Sequence, residues 1–243
     1  MKTFHHMLYT LTICGLISLA SSCGSNPFKT YEEKDPAEDA MVALENDDPD
    51  KAIAILTEAL EGDPGNTQFL SLLAMAYAER GGIEALDLAL KMASNNSNGT
   101  SSSTNGVTAL FDVMPAATDS NIADVDTALS LMASIPAAQL TTADKLKIAM
   151  FQTAALTLRT KKYDTDGDGV ISVAEALAMT GGDASAILSQ LAGAASAFSS
   201  SGSTSTTDQA ASAQITSIQT KIGTCPGATQ QSQLQNYLSK NGC

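Results

Sequence analysis

Acidic residues alternate with other residues in a run of twelve near the middle of the chain, and this run restricts the local fold more than any other segment. Aspartate occupies its first, third and fifth positions, glycine its sixth, and glutamate its last, over Asp164–Glu175. A hard divalent cation takes six to eight oxygen ligands at roughly 2.3–2.6 Å, so a short segment must wrap around the ion to supply them. Gly169 allows the sharp turn, because glycine adopts positive φ without a steric penalty. The run therefore predicts a Ca²⁺ loop that leads into a helix.

The same run resembles the EF-hand calcium loop, including the apolar Ile171 at the eighth position. The resemblance implies Ca²⁺ as the cofactor, a backbone ligand at the seventh position and a bidentate glutamate at the twelfth. A single loop of this class is expected to bind weakly, with a Kd on the order of 10⁻⁴–10⁻³ M, and to stand alone or pair with a loop of another chain. The alternative is an acidic turn that binds nothing. The predicted metal ligands are Asp164, Asp166, Asp168, Val170, Ser172 and Glu175.

The N-terminal residues have the pattern of a secretory signal. Lys2 precedes an apolar stretch over residues 7–20, which is too short to span a bilayer because a spanning helix needs about 20 apolar residues. Small residues lead to Cys23, and this arrangement resembles a bacterial lipoprotein signal in which that cysteine carries the lipid. The resemblance implies a signal peptide over 1–22, a tether over 23–34, and anchoring in the bacterial outer membrane, on the periplasmic side or at the cell surface. The alternative is an ordinary secretory signal that leaves Cys23 as a free thiol.

The four cysteines divide between the two ends of the chain. Cys14 belongs to the predicted signal peptide and Cys23 is the predicted lipidation site, which leaves Cys225 and Cys243. An even pair in an oxidising compartment predicts a disulfide, because disulfides persist there. The chain-entropy model gives such a bridge a stabilisation of about 3 kcal/mol.

Composition excludes several functional classes. Removal of the signal peptide leaves no histidine, since His5 and His6 are the only two, and the chain has no tryptophan. Histidine-based catalytic triads and dyads and histidine-ligated zinc or iron are therefore excluded. The acids outside the loop are scattered, so we expect no enzyme activity. The formal net charge of −13 and the lack of basic clusters argue against a nucleic acid partner.

Apolar residues recur at helical spacing over residues 35–93, with helix start signals between the segments. Proline follows both Asp35 and Asp48 at the first helical position, and Asn66 precedes a third helix. This succession resembles tetratricopeptide repeats, in which paired antiparallel helices bury their apolar faces by stacking on neighbours. The alternative is a generic array of helical hairpins. The positions that match the repeat are Ala52, Leu56, Ala59, Pro64, Leu70, Leu73, Ala74 and Tyr77.

The remaining sequence predicts further helices separated by polar tracts. Residues 94–120 form a Ser/Asn/Gly-rich loop, 121–198 a helical region with the metal loop, and 199–206 a linker. The last segment, 207–243, predicts a helical hairpin tied by the disulfide. The unit Thr142–Met179 is expected to serve as a further repeat-like pair of helices, with Ca²⁺ clamping its long turn. The predicted fold class is therefore all-α.

These features favour a membrane-anchored periplasmic lipoprotein that acts as a helical scaffold or adaptor for an unknown protein partner, with Ca²⁺ stabilising the fold. Arrays of tetratricopeptide repeats resemble partner-binding scaffolds, and the lipid would hold the scaffold at the membrane. One alternative is an accessory component of a periplasmic solute uptake system. Another is a structural envelope lipoprotein that Ca²⁺ stabilises.

Overall fold

The computed structural model describes residues 35–84, 88, 90, 91, 106–240, 242 and 243. Every regular element in these residues is a helix, as the sequence predicts, and no helix among them is long and apolar enough to span a bilayer. The predicted signal peptide, the tether and Cys23 lie outside the described residues. The elements are α1 (Pro36–Glu45), α2 (Pro49–Gly62), α3 (Thr67–Arg80), a 3-10 helix (Thr108–Val113), α4 (Asp119–Ser134), α5 (Thr142–Lys161), α6 (Val173–Ala178), α7 (Gly181–Ser201), α8 (Thr206–Thr224) and α9 (Gln230–Ser239).

Side-chain caps start several helices where the sequence places them. α1 and α2 each begin at a proline, which lacks an N–H that would be unpaired there anyway. The Asp48 carboxylate accepts a hydrogen bond from the amide of Lys51, and the Asn66 side chain accepts two from the first turn of α3. At the start of α5, the side chains of Thr141 and Asp144 each accept a hydrogen bond from the other's amide. These bonds satisfy amides that a helix end leaves without partners.

The first three helices form a small core of their own. α1 packs against α2, and α2 packs against α3. Leu56 of α2 is fully buried between them. Small side chains around it let the helices approach closely, so the core is filled with few large residues. The buried alanines of this core are Ala37, Ala40, Ala43, Ala52 and Ala76.

A larger core lies among the later helices. α5 and α7 pack along one another, and α4 packs against both α3 and α5. Phe151 and Leu158 of α5 are almost completely buried there. Tyr77 and Leu131 contact both cores, so the first three helices are continuous with the rest of the described structure.

Two arginines join helices that are distant in the sequence. The Arg80 guanidinium of α3 lies 2.6 Å from a carboxylate oxygen of Asp124 in α4. Arg159 of α5 pairs with Asp126 of α4 and lies 3.9 Å from a carboxylate oxygen of Asp183 in α7. The ion pairs of Arg159 connect α5 to α4 and α7. α5 is the helix that leads into the predicted metal loop.

The C-terminal helices form the predicted hairpin and its predicted disulfide. Cys225 and Cys243 are bonded, with their Cα atoms 5.7 Å apart, and α8 packs against α9. α9 also packs against α6 and α7, so it covers the helix that follows the metal loop. The Tyr237 hydroxyl of α9 accepts a hydrogen bond from the Gly106 amide, and burial raises the pKa of Tyr237 to about 12.

The predicted loop at 94–120 is partly a core element. Its described residues, 106–120, include the 3-10 helix and the start of α4. Leu110 and Phe111 of the 3-10 helix are buried in the larger core. The Thr118 hydroxyl caps α4, which therefore begins before the predicted boundary. The apolar segment Val107–Met114, which the sequence predicts as one or two helical turns within this tract, contains this 3-10 helix and packs into the core.

α7 is longer than the sequence predicts at both ends. It begins at Gly181, two residues before the cap that the sequence predicts at Asp183, because the Thr180 hydroxyl caps its first turn. At its other end it continues through Ser201, so the predicted linker at 199–206 narrows to residues 202–205. Packing against α5 and α8 holds the serine-rich end helical although serine is a weak helix former.

The expectation that Thr142–Met179 forms a repeat-like pair of stacked helices is wrong. α5 packs against α7 and α4, whereas α6 packs against α9. α6 has 6 residues and α5 has 20, so α6 is too short to cover its neighbour. The longer α7 takes the position beside α5 that the prediction gave to α6.

Candidate metal site

Hydrogen bonds hold both ends of the metal loop. Tyr163, the residue before the loop, donates its hydroxyl proton to Asp183 of α7 at 2.5 Å and accepts a hydrogen bond from the Thr180 amide at 3.1 Å. The hydrogen bond from Tyr163 is the main reason why the pKa of Asp183 lies below its ordinary value. At the other end, Ser172 and Glu175 form the capping box of α6. The loop therefore joins two fixed points.

Three aspartates of the loop converge, as their spacing predicts. One carboxylate oxygen from each of Asp164, Asp166 and Asp168 lies within 4.8 Å of the other two. Asp164 is half-buried, and the other two aspartates are exposed. Among the residues that the structure describes, this is the one group of carboxylates that is close enough to share a cation.

The loop backbone turns around these carboxylates. The amide of Gly169 donates to Asp164 Oδ2 at 3.1 Å, and the amide of Val170 donates to Asp168 Oδ1 at 2.8 Å. Gly167 and Gly169 have φ of 72° and 79°, a conformation in which any other residue would carry a steric penalty. The predicted sharp turn at Gly169 is confirmed.

The carboxylate of Asp164 lacks one partner. Its Oδ1 atom is buried and accepts no hydrogen bond. Burial raises the pKa of Asp164, and the charges of Asp168 and Glu175 raise it further, although the amides of Gly169 and Gly167 oppose the shift. A buried polar atom without a partner costs about 1–3 kcal/mol, so this oxygen gains from a hydrogen-bond donor or a cation.

Glu175 lies apart from the three aspartates. One of its oxygens accepts hydrogen bonds from the amide and the hydroxyl of Thr165, each at 2.7 Å, and the other accepts one from the Ser172 amide at 2.9 Å. The Ser172 amide is the main cause that lowers the pKa of Glu175 to about 2, followed by the Thr165 hydroxyl. Glu175, the predicted bidentate ligand, therefore closes the loop through its hydrogen bonds to Thr165 and Ser172.

The other two predicted ligands lie between the turn and α6. Val170 follows the turn with its side chain exposed, and Ser172 is the N-cap residue of α6, whose hydroxyl accepts a hydrogen bond from the Glu175 amide at 3.3 Å. Three of the six predicted ligands are thus brought together. Sequence reasoning missed Thr165, because a threonine at the second loop position carries no signal that it will hold the last residue of the loop.

Two lysines at the end of α5 lie next to the loop and contact the segment around the 3-10 helix and α4. Lys161 Nζ donates to the carbonyl oxygens of Phe111 and Met114, each at 2.8 Å. Lys162 Nζ lies 2.8 Å from a carboxylate oxygen of Asp119. With parts of the loop, both lysines line a cavity of about 430 Å³. These contacts depend on the folded 3-10 helix and on α4, so the sequence pattern gave no sign of them.

The residue at the eighth position of the loop is buried in the core of its own chain. Ile171 is 0% exposed and belongs to the larger core. The apolar residue at this position of the loop is therefore a core residue of its own chain.

Comparison with known protein families matches the tetratricopeptide repeat family to residues 43–85. These residues include all of α2 and α3, and they lie within the region where the sequence resembles this repeat. The match covers well under half of the chain. No curated protein and no solved structure matches the chain. The repeat-like character of this part of the all-helical fold is therefore confirmed, and it supports a helical scaffold or protein-interaction role.

Proposed function

We propose that this protein is a Ca²⁺-binding, lipid-anchored scaffold that holds a protein partner at the bacterial outer membrane, on its periplasmic side. The match to tetratricopeptide repeats at residues 43–85 supports the scaffold role. One observation carries the calcium role: three aspartate carboxylates lie close enough to share a cation, and one of them, Asp164, has a buried oxygen without a hydrogen-bond partner.

The loop fits Ca²⁺ by the chemistry of its donors. Carboxylate and carbonyl oxygens are the ligands that this hard cation prefers, and the loop offers both kinds within a short segment. A bound ion supplies positive charge that offsets the repulsion among the loop carboxylates. The hydrogen bonds of Tyr163 and the capping box of α6 already fix the ends of the loop, so the ion has only the turn to order. The proposed ligands are the carboxylates of Asp164, Asp166 and Asp168 and the carbonyl oxygen of Val170. Ser172 and Glu175, the other two predicted ligands, form the capping box that closes the loop.

Calorimetric titration with Ca²⁺ and Mg²⁺, combined with thermal melting in Ca²⁺ or in EDTA, tests the calcium role. An ion that binds only the folded state stabilises it by about 1–2 kcal/mol when its concentration exceeds Kd several-fold to thirtyfold. We therefore expect Ca²⁺ to raise the melting temperature, and Asp164→Ala to abolish both the rise and the binding heat. Glu58→Ala removes an exposed carboxylate of α2 and serves as the matched control.

Two results would refute the calcium role of this loop. Identical melting curves in Ca²⁺ and EDTA would show that no stabilising site exists. An Asp164→Ala variant that responds to Ca²⁺ as strongly as the wild type would place the binding elsewhere on the acidic surface.

Lipid anchoring is proposed from the sequence pattern that ends at Cys23. An anchor there would keep the loop outside the cytoplasm, in a compartment where calcium sites of the weak extracellular class operate. The same compartment suits the disulfide between Cys225 and Cys243, because oxidising conditions preserve it. We propose no catalytic role and no nucleic acid partner, since residues after 22 contain no histidine and the net charge of the chain is −13.

A further inference from the structure

A groove lies where α1, α2 and α3 meet α5. Its volume is about 550 Å³. The turn between α1 and α2 forms one wall, and the end of α3 with the residues just beyond it forms the other. Except for Phe151 of α5, the described residues that line it lie within the segment 43–85, which matches the repeat family. The groove is therefore a feature of the part of the chain with a supported interaction role.

The floor of the groove is apolar. Phe151 and Ile83 are 2% and 4% exposed, and the half-buried Leu44 and Met75 extend the same surface. Phe151 and Ile83 have almost no exposed area left, so the exposed parts of Leu44 and Met75 are the surface that gains free energy when an apolar group covers it.

The rim of the groove is acidic. Asp47, Glu79 and Glu84 line it, and among the residues that the structure describes no lysine, arginine or histidine does. Arg80 follows Glu79 in the sequence, but its guanidinium is committed to Asp124 of α4. Within the described ranges, none of the three carboxylates lies in ion-pair distance of a basic side chain.

The pKa of Glu79, one of the three carboxylates at the rim, is raised. Burial raises its pKa, and the charge of Asp47 raises it further. A half-buried carboxylate that faces a second carboxylate is stabilised when a positive charge comes within a few ångströms.

We infer that this groove binds a cationic amphipathic segment of a protein partner. Lysine and arginine combine a long apolar stem with a charged end, so their stems fit the floor while their ends reach the rim. An acidic partner would add repulsion, and a neutral apolar segment would leave Glu79 desolvated and unpaired. The inference rests on the proposed scaffold role and names the chemistry of the partner.

Fluorescence anisotropy with a labelled lysine–leucine peptide and the full chain tests this assignment. Glutamate–leucine and lysine–serine peptides of equal length are the control probes. We expect the lysine–leucine peptide to bind most tightly, because only it matches both floor and rim. Glu79→Gln should weaken its binding about tenfold, the scale of one charge-assisted hydrogen bond.

Two further variants sharpen the experiment, after thermal melting has shown that each is folded. Glu58→Gln removes an exposed charge from α2 outside the groove and should leave the affinity unchanged. Asp47→Asn should weaken binding as Glu79→Gln does, and it keeps the turn, because asparagine tolerates the φ of 55° that Asp47 adopts.

Three outcomes would overturn the inference: no binding of the lysine–leucine peptide, equal binding by the Glu79→Gln and Glu58→Gln variants, or equal affinity for the lysine–serine peptide. Crosslinking in intact cells separates this failure from failure of the scaffold role. A partner captured equally by wild type and Glu79→Gln would remove the groove and keep the scaffold. Absence of any crosslinked partner would contradict the scaffold itself.

Discussion

Asp144 belongs at once to the capping box of α5 and to a contact with α3. Its Oδ1 atom accepts a hydrogen bond from the Ser71 hydroxyl at 2.7 Å, and its Oδ2 atom accepts from the Thr141 amide and hydroxyl. Lys147 Nζ donates to the same Ser71 hydroxyl at 2.7 Å. Burial raises the pKa of Asp144, but these hydrogen bonds and the charge of Lys147 outweigh burial and hold the pKa below 3.8.

Asp144→Asn is expected to lower the free energy of unfolding at neutral pH by roughly 1–3 kcal/mol, because a charged acceptor is lost. A carboxyl group with a lowered pKa stabilises the fold above the unfolded-state value of 3.8, and this contribution fades as the pH falls below it. The difference between wild type and variant should therefore shrink below pH 3.8. Urea unfolding over a pH series measures it, with Glu58→Gln as the control. A difference that stays constant into acid would contradict the prediction.

At the scale of elements, the disulfide holds α9 in place, and α9 in turn packs against α6. The disulfide closes a loop with a sequence separation of 18, for which the chain-entropy model gives about 3 kcal/mol. The double variant Cys225→Ser/Cys243→Ser should lose about this much stability in denaturant unfolding. The reductant TCEP should destabilise the wild type and leave the double variant unchanged. A wild type that is indifferent to TCEP would show that packing alone holds α9.

Helix starts could be predicted from the sequence where a short polar side chain precedes a proline or an apolar stripe. Asp48 and Asn66 each cap the helix that the sequence assigns to them, and Thr141 caps α5 in the same way. Helix ends and long serine-rich turns were less predictable, since tertiary contacts decide them. The extension of α7 through Ser201 shows this, because its local propensity is weak and its packing against α5 is extensive.

At the scale of the whole molecule, the proposed anchor decides where every other feature acts. Cys23→Ser should remove the protein from the membrane fraction and abolish incorporation of labelled fatty acid, since no other residue of the proposed mature N-terminus offers a thiol. Cys14→Ser is the matched control, because that cysteine lies within the proposed signal peptide and should not affect anchoring. A Cys23→Ser protein that stays in the membrane fraction would contradict the lipoprotein assignment.

The candidate site was predictable from sequence only as far as local spacing determines it. The alternation of Asp164, Asp166 and Asp168 and the turn at Gly169 follow from positions along the chain. The closure of the loop by Glu175 onto Thr165 depends on how α6 is oriented, and α9, more than fifty residues later, helps to set that orientation. No local pattern contains such information.

Among the described residues, a single group of carboxylates is close enough to share a cation, and this has a consequence for how the protein would respond to its surroundings. Without a sister loop, one binding event has no neighbour to influence, so saturation would be hyperbolic with a Hill coefficient of about 1. Occupancy would then track the free cation in the envelope gradually, over about two orders of magnitude in concentration, without a threshold.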